Sequence, residues 1–302
     1  MEFNNINEFT EYYAKKLLES KGIKSTNKIN RDNYKNKLGG EIYQDFFKIK
    51  DSQSVIGTYE NHKGYKWWMY GEILSEMLNL DPPLMYKYKP EMKGKHYDLL
   101  EDGRMQYTYS NRFTEFSQFV NIYKKLKQNI NSKRAVIDIY TPYDTSPDRK
   151  DTPCTTMYHF LHRDNKLNMT VFMRSWDFFG GVKTYDFALS SFIQQSFCNW
   201  LKVKPGNLNY YVNSLHYYNR DQENLEKLVE EIKNPKNPKK LILNGEQDIN
   251  EFYDELRLIK LSEEYAYSGN LKKANEIKDN LKNNLFKDIS EVFIEKNEKR
   301  LL

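Results

Sequence analysis

Apolar positions recur along the chain with two periods, near 3.6 and near 2, and their alternation predicts a mixed α/β protein. The stretch EFTEYYAKKLLESKG in residues 1–30 reads as a helix followed by a polar connection. Residues 31–66, rich in Lys, Asn, Gly and Asp, carry little pattern. From Trp67 to Leu80 apolar residues return at helical spacing, and Asp81-Pro82-Pro83 stops them because proline offers no amide donor. After an irregular tyrosine-rich segment, 84–112, FTEFSQFVNIYKKLKQN predicts a helix leading into a β-branched, alternating strand, Lys133–Thr141. A polar loop, 142–153, ends in Pro153-Cys154. Apolar runs at 156–162 and 167–173 flank Arg163-Asp164-Asn165-Lys166 and predict a hairpin. Gly180-Gly181 marks a turn before DFALSSFIQQSFCNWL, whose Leu189, Phe192, Ile193, Phe197 and Trp200 share one helical face. Pro205-Gly206 opens a strand, NLNYYV, and a further helix is expected from about Ser214. Beyond residue 235, NPKNPKK reads as a linker, LILN as a short strand, and 248–302 as charged, helical and poor in apolar residues. The expected organisation is a catalytic domain over 1–235 and a charged helical extension over 236–302. That extension reads equally as a small helical unit packed on the core or as a partly mobile tail.

Composition narrows the class. With 302 residues, 39% of them hydrophobic, and 17 Phe, 24 Tyr and 4 Trp, the chain can bury a sizeable core. The net charge of +5 comes from 47 basic residues interspersed with 42 acidic ones, which suits a small anionic substrate better than nucleic acid. Two cysteines make no disulfide framework, the first residues lack the apolar stretch of a signal peptide, and no apolar run approaches the ~20 residues of a membrane span. A cytoplasmic protein is expected. The five histidines and two cysteines show no ligand spacing, so no metal is expected.

Of the two cysteines, Cys198 lies on the apolar side of a helix, where a small hydrophobe is the usual role. Cys154 ends a polar loop and enters a strand, and Arg174 on the partner strand of the hairpin could supply the charge that makes a thiolate. Taken singly, the candidate residues all have plainer readings. Cys154 reads as an ordinary cysteine, Arg174 and Asp177 as a surface ion pair, and Glu72 as a solvated helix position. His216 reads as a core histidine, and Lys133-Arg134 as a solvated junction.

Taken in order, they resemble a known active site. Pro153-Cys154, the hairpin, Arg174-Ser175-Trp176-Asp177 and Gly180-Gly181 resemble the active-site block of the thymidylate synthase superfamily. Ser214-Leu215-His216-Tyr217-Tyr218 is similar to its ribose-reading His-x-Tyr, and Ser132-Lys133-Arg134 to the basic pair that enters the neighbouring subunit's phosphate site. Tyr109-Ser110-Asn111-Arg112 resembles its tyrosine loop and Gly71-Glu72-Ile73-Leu74 its glutamate helix. Residues 65–225 match in order. A further phosphate-binding arginine, which the family often carries earlier in the chain, has only Arg31 as a candidate.

The resemblance implies an α/β (α+β) fold with a bent mixed sheet, helices on one face and a homodimer across the other. It implies a pyrimidine nucleoside monophosphate as substrate and 5,10-methylenetetrahydrofolate as one-carbon donor. Cys154 would add to C6 of the base, Glu72, Tyr109 and Asp177 would serve the catalytic steps, and Arg174 and Ser175 would hold the phosphate, with Lys133 and Arg134 arriving in trans. His216 and Tyr218 would bind the ribose. Thr155 stands where synthases usually have His. Asp186 stands where they have a base-reading Asn, provided the turn has one extra residue; without it Tyr185 takes that place. Cys-Thr, Met-Arg-Ser-x-Asp, Asp186 and Ser-Leu-His-x-Tyr look like the phage deoxycytidylate hydroxymethylases. The expected reaction is therefore hydroxymethylation of dCMP. The alternatives are thymidylate synthesis from dUMP, hydroxymethylation of dUMP or CMP, and a nucleotide- or RNA-binding protein that retains the fold.

Overall fold

A computed structural model describes residues 1–20, 38–92, 108–114, 117–147, 152–183 and 185–301. Arg31, the end of the first predicted helix and part of the loop before Pro153 lie outside the described residues.

One seven-stranded sheet organises the chain, in the order β1-β2-β7-β5-β4-β3 with β6 alongside β7. The strands are β1 (Glu2–Phe3), β2 (Leu38–Ile49), β3 (Ala135–Asp138), β4 (Thr155–Arg163), β5 (Lys166–Met173), β6 (Trp176–Asp177) and β7 (Lys204–Tyr218). β7 runs antiparallel to β2 and parallel to β5, so the sheet is mixed. The register places Phe47, Tyr210, Val171, Tyr158 and Ile137 in one row across five strands. All five side chains are buried. The next row, Phe46, Tyr211 and Phe172, points the other way because strand side chains alternate. Phe46 is 39% and Tyr211 47% exposed, and Phe172 stacks on Tyr211 at 5.0 Å.

Helices cover the buried face: α1 (Ile6–Glu19), α2 (Lys66–Leu78), α3 (Met85–Tyr88), α4 (Tyr109–Thr114), α5 (Gln118–Gln128) and α6 (Asp186–Leu201). In α1, Asn5 caps the amides of Asn7 and Glu8, while Phe9, Tyr13 and Leu17 line the inner face at intervals of one turn. The β4–β5 hairpin forms as predicted, with Asp164 (φ 52°) and Asn165 (φ 58°) taking the positive-φ positions that a two-residue turn needs.

Three elements differ from expectation. β2 occupies a stretch with little pattern, because Gln44 (φ 56°) interrupts its alternation and Tyr43 and Phe46 face outward. No helix begins at Ser214: β7 continues to Tyr218, paired with β2 on one side and β6 on the other. Leu215, His216 and Tyr217 are consecutively buried there, which hides the period of a strand. LILN is no strand either; Leu241 and Leu243 hang from Gln53 O (2.8 Å) and Gln195 Oε1 (2.9 Å).

After α7 (Gln222–Glu231), residues 248–301 form α8 (Ile249–Tyr267), α9 (Leu271–Asn280) and α10 (Asn284–Leu301). Their charged faces hide an apolar one: Phe252, Leu256, Phe286 and Phe293 are fully buried in the same core as the sheet. Phe252 packs on Phe192 of α6 at 5.9 Å and on Phe286 at 5.5 Å. α6 thus lies between the sheet and the last helices and is buried all round from Asp186 to Trp200. Several of its polar side chains bond to neighbouring backbone, with Ser191 donating to Ser52 O (2.6 Å), Gln194 to Leu167 O (2.8 Å) and Gln195 to Leu241 O (2.9 Å), while Gln194 Oε1, Asn199 Nδ2 and Trp200 Nε1 are buried without a partner among the described residues. Among the described residues, no helix is long and apolar enough to cross a membrane.

Candidate active site

Most of the candidate residues converge at one end of the sheet, where β4 begins and β5 and β7 end. The hairpin register brings Thr155 opposite Met173, so Cys154 and Arg174 flank its mouth. Arg174 N–H donates to Cys154 O at 2.9 Å, closing the strand pair one residue further. The guanidinium donates through Nε to Pro153 O (2.8 Å) and through Nη2 to Thr152 O (2.7 Å), and Nη2 stands 3.9 Å from Cys154 Sγ. Loop carbonyls thereby fix a full positive charge beside a half-buried sulfur, the setting that favours a thiolate. Ser175, next in the chain, is half-buried.

The tyrosine loop expected at 109–112 is a helical turn, α4, that aims its first residue at the hairpin. Tyr109 is 7% exposed, and its hydroxyl oxygen accepts from Thr155 N at 3.3 Å. Burial first, then the Asp186 and Cys154 charges, push its phenol well above the ordinary range.

Asp177 pairs across to His216 through the β6–β7 register. Its carboxylate caps the turn Phe178–Val182, accepting from Phe179 N at 3.0 Å, and takes a contact from Arg220 Nη2 at 3.4 Å. His216 is 5% exposed; burial holds its imidazole below the usual value, with Asp177 and Glu41 acting the other way. Its Nδ1 meets Ser214 Oγ at 3.3 Å, and Ser214 in turn donates to Glu41. Tyr218 packs edge-on against His216 at 5.2 Å, with the Arg220 guanidinium 4.5 Å over its ring.

Glu72 is where the sequence placed it, on α2, but it is not on a solvated face. It is 4% exposed, and burial, followed by the Glu76 and Asp186 charges, raises its carboxyl well above the usual range. Asp186 opens α6 and is also buried; Oδ2 accepts from Trp176 Nε1 at 2.5 Å. Burial lifts its carboxyl to about 6, against the Trp176 hydrogen bond. A Cβ on Gly181 would come within 2.1 Å of that same oxygen, so only glycine permits this approach.

Lys133 and Arg134 are not brought to this end. Ala135 pairs with Phe160, five residues along β4 from Thr155, which at ~3.3 Å per residue puts the pair roughly 20 Å from Cys154. Both side chains are exposed.

Glu76, Arg220 and Glu41 were not among the residues the sequence pointed to, and Trp176 was, but only as part of a motif with no role of its own. Glu76 stands one turn after Glu72 and shares its face, the one available signal. Glu41 and Arg220 join the site only through strand pairing between distant segments.

The thymidylate synthase family profile matches residues 39–274. Among relatives, a deoxyuridylate hydroxymethyltransferase of Bacillus phage SP01 is 31% identical over 108 residues, covering 35% of this chain and 28% of the relative. A putative thymidylate synthase of Methanosarcina barkeri is 29% identical over 132 residues, 42% of this chain and 59% of the relative. The thymidylate synthase of Listeria monocytogenes is 24% identical over 180 residues, 54% of this chain and 56% of the relative. The chain thus spans less than two thirds of the length of each of these relatives. With its fold, its hairpin cysteine and a match running from β2 into α9, the chain belongs to the thymidylate synthase family.

Proposed function

We propose that the chain transfers a one-carbon unit to C5 of a pyrimidine nucleoside monophosphate and that its product is the hydroxymethyl nucleotide, with deoxycytidylate as substrate. Asp186 carries the reading: a carboxyl, and not an amide, is buried at the base-reading position with one oxygen committed to Trp176. In its neutral form such a group donates O–H to a ring nitrogen such as N3 of cytosine. It also accepts from the exocyclic amine, so both polar atoms of that edge are matched.

The remaining roles follow from placement. Cys154 sulfur forms a bond to C6, and the electron pair moves toward C5 and the base carbonyl. Arg174 and Ser175 hold the phosphate by charge-assisted hydrogen bonds, which fixes C6 over the sulfur. His216 and Tyr218 bind the ribose hydroxyl. Tyr109, beside the cysteine, orients by hydrogen bonding the water that carries the C5 proton away; Glu72, whose carboxyl its surroundings push well above the usual range, donates at the base carbonyl. C5 would form its bond to the donor's methylene carbon as the carbon–nitrogen bond to the folate breaks, water would supply the hydroxyl, and loss of Cys154 from C6 as a thiolate restores the aromatic ring. Asp177 holds the turn Phe178–Val182 in place and would serve the catalytic steps from there.

The co-substrate is 5,10-methylenetetrahydrofolate, which supplies carbon at the oxidation level of formaldehyde. The residues beside Glu72 suit it: Trp68 hydrogen-bonds the Glu72 carboxyl, and Lys89 lies 5.7 Å over Tyr65 and 6.0 Å over Trp68. That is a flat apolar wall with a cation, matched to an aromatic group that bears carboxylates. The open sheet face, with Phe46, Tyr211 and Phe172, pairs two protomers, so that Lys133 and Arg134 reach the partner's phosphate site. The proposed chemistry lies within 1–235, and 236–302 serves as its scaffold.

A second reading has its own support: the phage relative is named for deoxyuridylate, which favours the same reaction on uracil. The synthases among the relatives favour methylation. Mass spectrometry of products formed from dCMP, CMP and dUMP decides. Gain of CH2O on dCMP with release of tetrahydrofolate is expected. The same gain on dUMP would overturn the cytosine assignment. Gain of CH2 on dUMP with release of dihydrofolate would make this a methylating enzyme. Nucleotide binding with no change in mass would leave a binding protein.

A further inference from the structure

We infer that Glu76 is a positioning residue that ties the two proton-handling side chains, Glu72 and Tyr109, into one unit. The inference rests on the reaction proposed above and assigns the residue that builds its proton machinery.

Glu72 and Tyr109 come from separate elements, α2 and α4. α4 has six residues, too few to hold helical form without outside partners. Its far end is pinned by Arg112, whose Nη2 lies 2.9 Å from Asp144 Oδ1 in a buried ion pair. Its near end is pinned by Glu76: Oε2 accepts from Ser110 N at 2.5 Å, and the Tyr109 amide also bonds this carboxylate. Asn79, at the end of α2, accepts from Ser110 Oγ at 2.9 Å and completes the clasp. Negative charge at the first turn of a helix is favourable, and the two amides are donors that the helix itself leaves unused.

Glu76 is 8% exposed, and a carboxylate is an expensive choice at a buried position unless its bonds are needed. One helical turn separates it from Glu72, so the side chain that orients Tyr109 is fixed to the backbone that carries Glu72. Any shift of α2 therefore moves both groups together toward or away from Cys154. The Glu76 charge also acts on Glu72 directly and, after burial, is the largest influence keeping that carboxyl protonated.

The test compares Glu76→Ala, Glu76→Gln and Tyr109→Phe in the full chain, with whichever nucleotide is turned over. Glu76→Ala should lower kcat by about a hundredfold, the cost of an ångström-scale misplacement, and leave nucleotide KM within about twofold. Glu76→Gln retains an acceptor for the Ser110 amide and should recover most of the loss. Adding Glu76→Ala to Tyr109→Phe should cost little more than Tyr109→Phe alone, because one acts through the other. Fluorotyrosine placed at 109 gives a fluorine resonance that should move in Glu76→Ala and stay in place in Glu76→Gln, whether or not turnover occurs. Losses that multiply, or an unmoved resonance with unchanged kcat, would overturn the inference. Should the alanine variant not fold, the glutamine variant alone decides: a resonance displaced as far as in unfolded chain would overturn it. Absence of turnover in the parent protein would strike the proposed reaction, with the resonance still testing Glu76.

Discussion

Trp176 Nε1 stands 2.5 Å from Asp186 Oδ2, a bond between the strand that follows the Cys154 hairpin and the first residue of the buried helix. It fixes the carboxyl plane, so that in the proposed role the second oxygen carries the proton for N3 and Oδ2 keeps a lone pair for the exocyclic amine.

Asp186→Asn should accordingly change base choice. The amide keeps the indole bond through its oxygen and presents an N–H2, which matches O4 of uracil and repels the exocyclic amine of cytosine. The kcat/KM ratio of dCMP to dUMP should fall by about tenfold or more. An unchanged ratio would remove Asp186 from base recognition.

The buried carboxyls predict an unusual pH dependence of stability. Asp186 titrates near about 6 in the folded chain against an ordinary 3.8, and Glu76 near about 7 against 4.5. Between those values the folded chain holds more protons than the unfolded one, so stability falls as pH rises. Each group contributes on the order of 3 kcal/mol at most across its window. Urea denaturation from about pH 4 to about pH 7 should show Asp186→Asn gaining stability relative to the parent as pH rises. A parallel course for the two proteins would refute the assignment.

Removing the thiol should stop the chemistry and spare binding. Cys154→Ala should reduce turnover by at least about a thousandfold with nucleotide Kd little changed, since the proposed phosphate and ribose contacts lie on other residues. Residual turnover near the parent rate would show that no sulfur–carbon bond is formed.

Sharing across the open sheet face can be tested by mixing. Cys154→Ala and Arg134→Ala proteins, each inactive alone, should regain about a quarter of parental activity when protomers exchange, since half the dimers are mixed and each has one intact site. No recovery after proven exchange would place Arg134 outside the neighbour's site.

The last helices should be indispensable. Phe286→Ala should destabilise the protein by about 3–5 kcal/mol, because the ring is fully buried against Phe252 and Phe192. A loss under about 1 kcal/mol would mean that this region contributes little to folding.

Much of this was legible in the chain itself. The hairpin announced itself through alternation on both arms and an Asp164-Asn165 turn, and α2, α5 and α6 through their spacing. β2 did not, since a left-handed residue at Gln44 shifts its pattern, and the end of β7 looked helical because neighbours bury both of its faces. Cys154, Arg174 and His216 were singled out through their order in the chain, and the fold brings them to one end of the sheet. Glu76 was not found, because a charged residue on a helix reads as solvated until a distant turn is seen to cover it. The charged surface of α8–α10 similarly masked phenylalanines spaced for burial.

The enclosure of α6 has a consequence for divergence. Its body is gripped by glutamine and serine bonds and by aromatic rings on both flanks, whereas Asp186 sits at its very first position, where exchange disturbs no rung of the helix. On the proposed reading of Asp186, substrate preference can therefore drift through single codon changes at that position while the scaffold stays constant, and lineages acting on different bases can share one architecture.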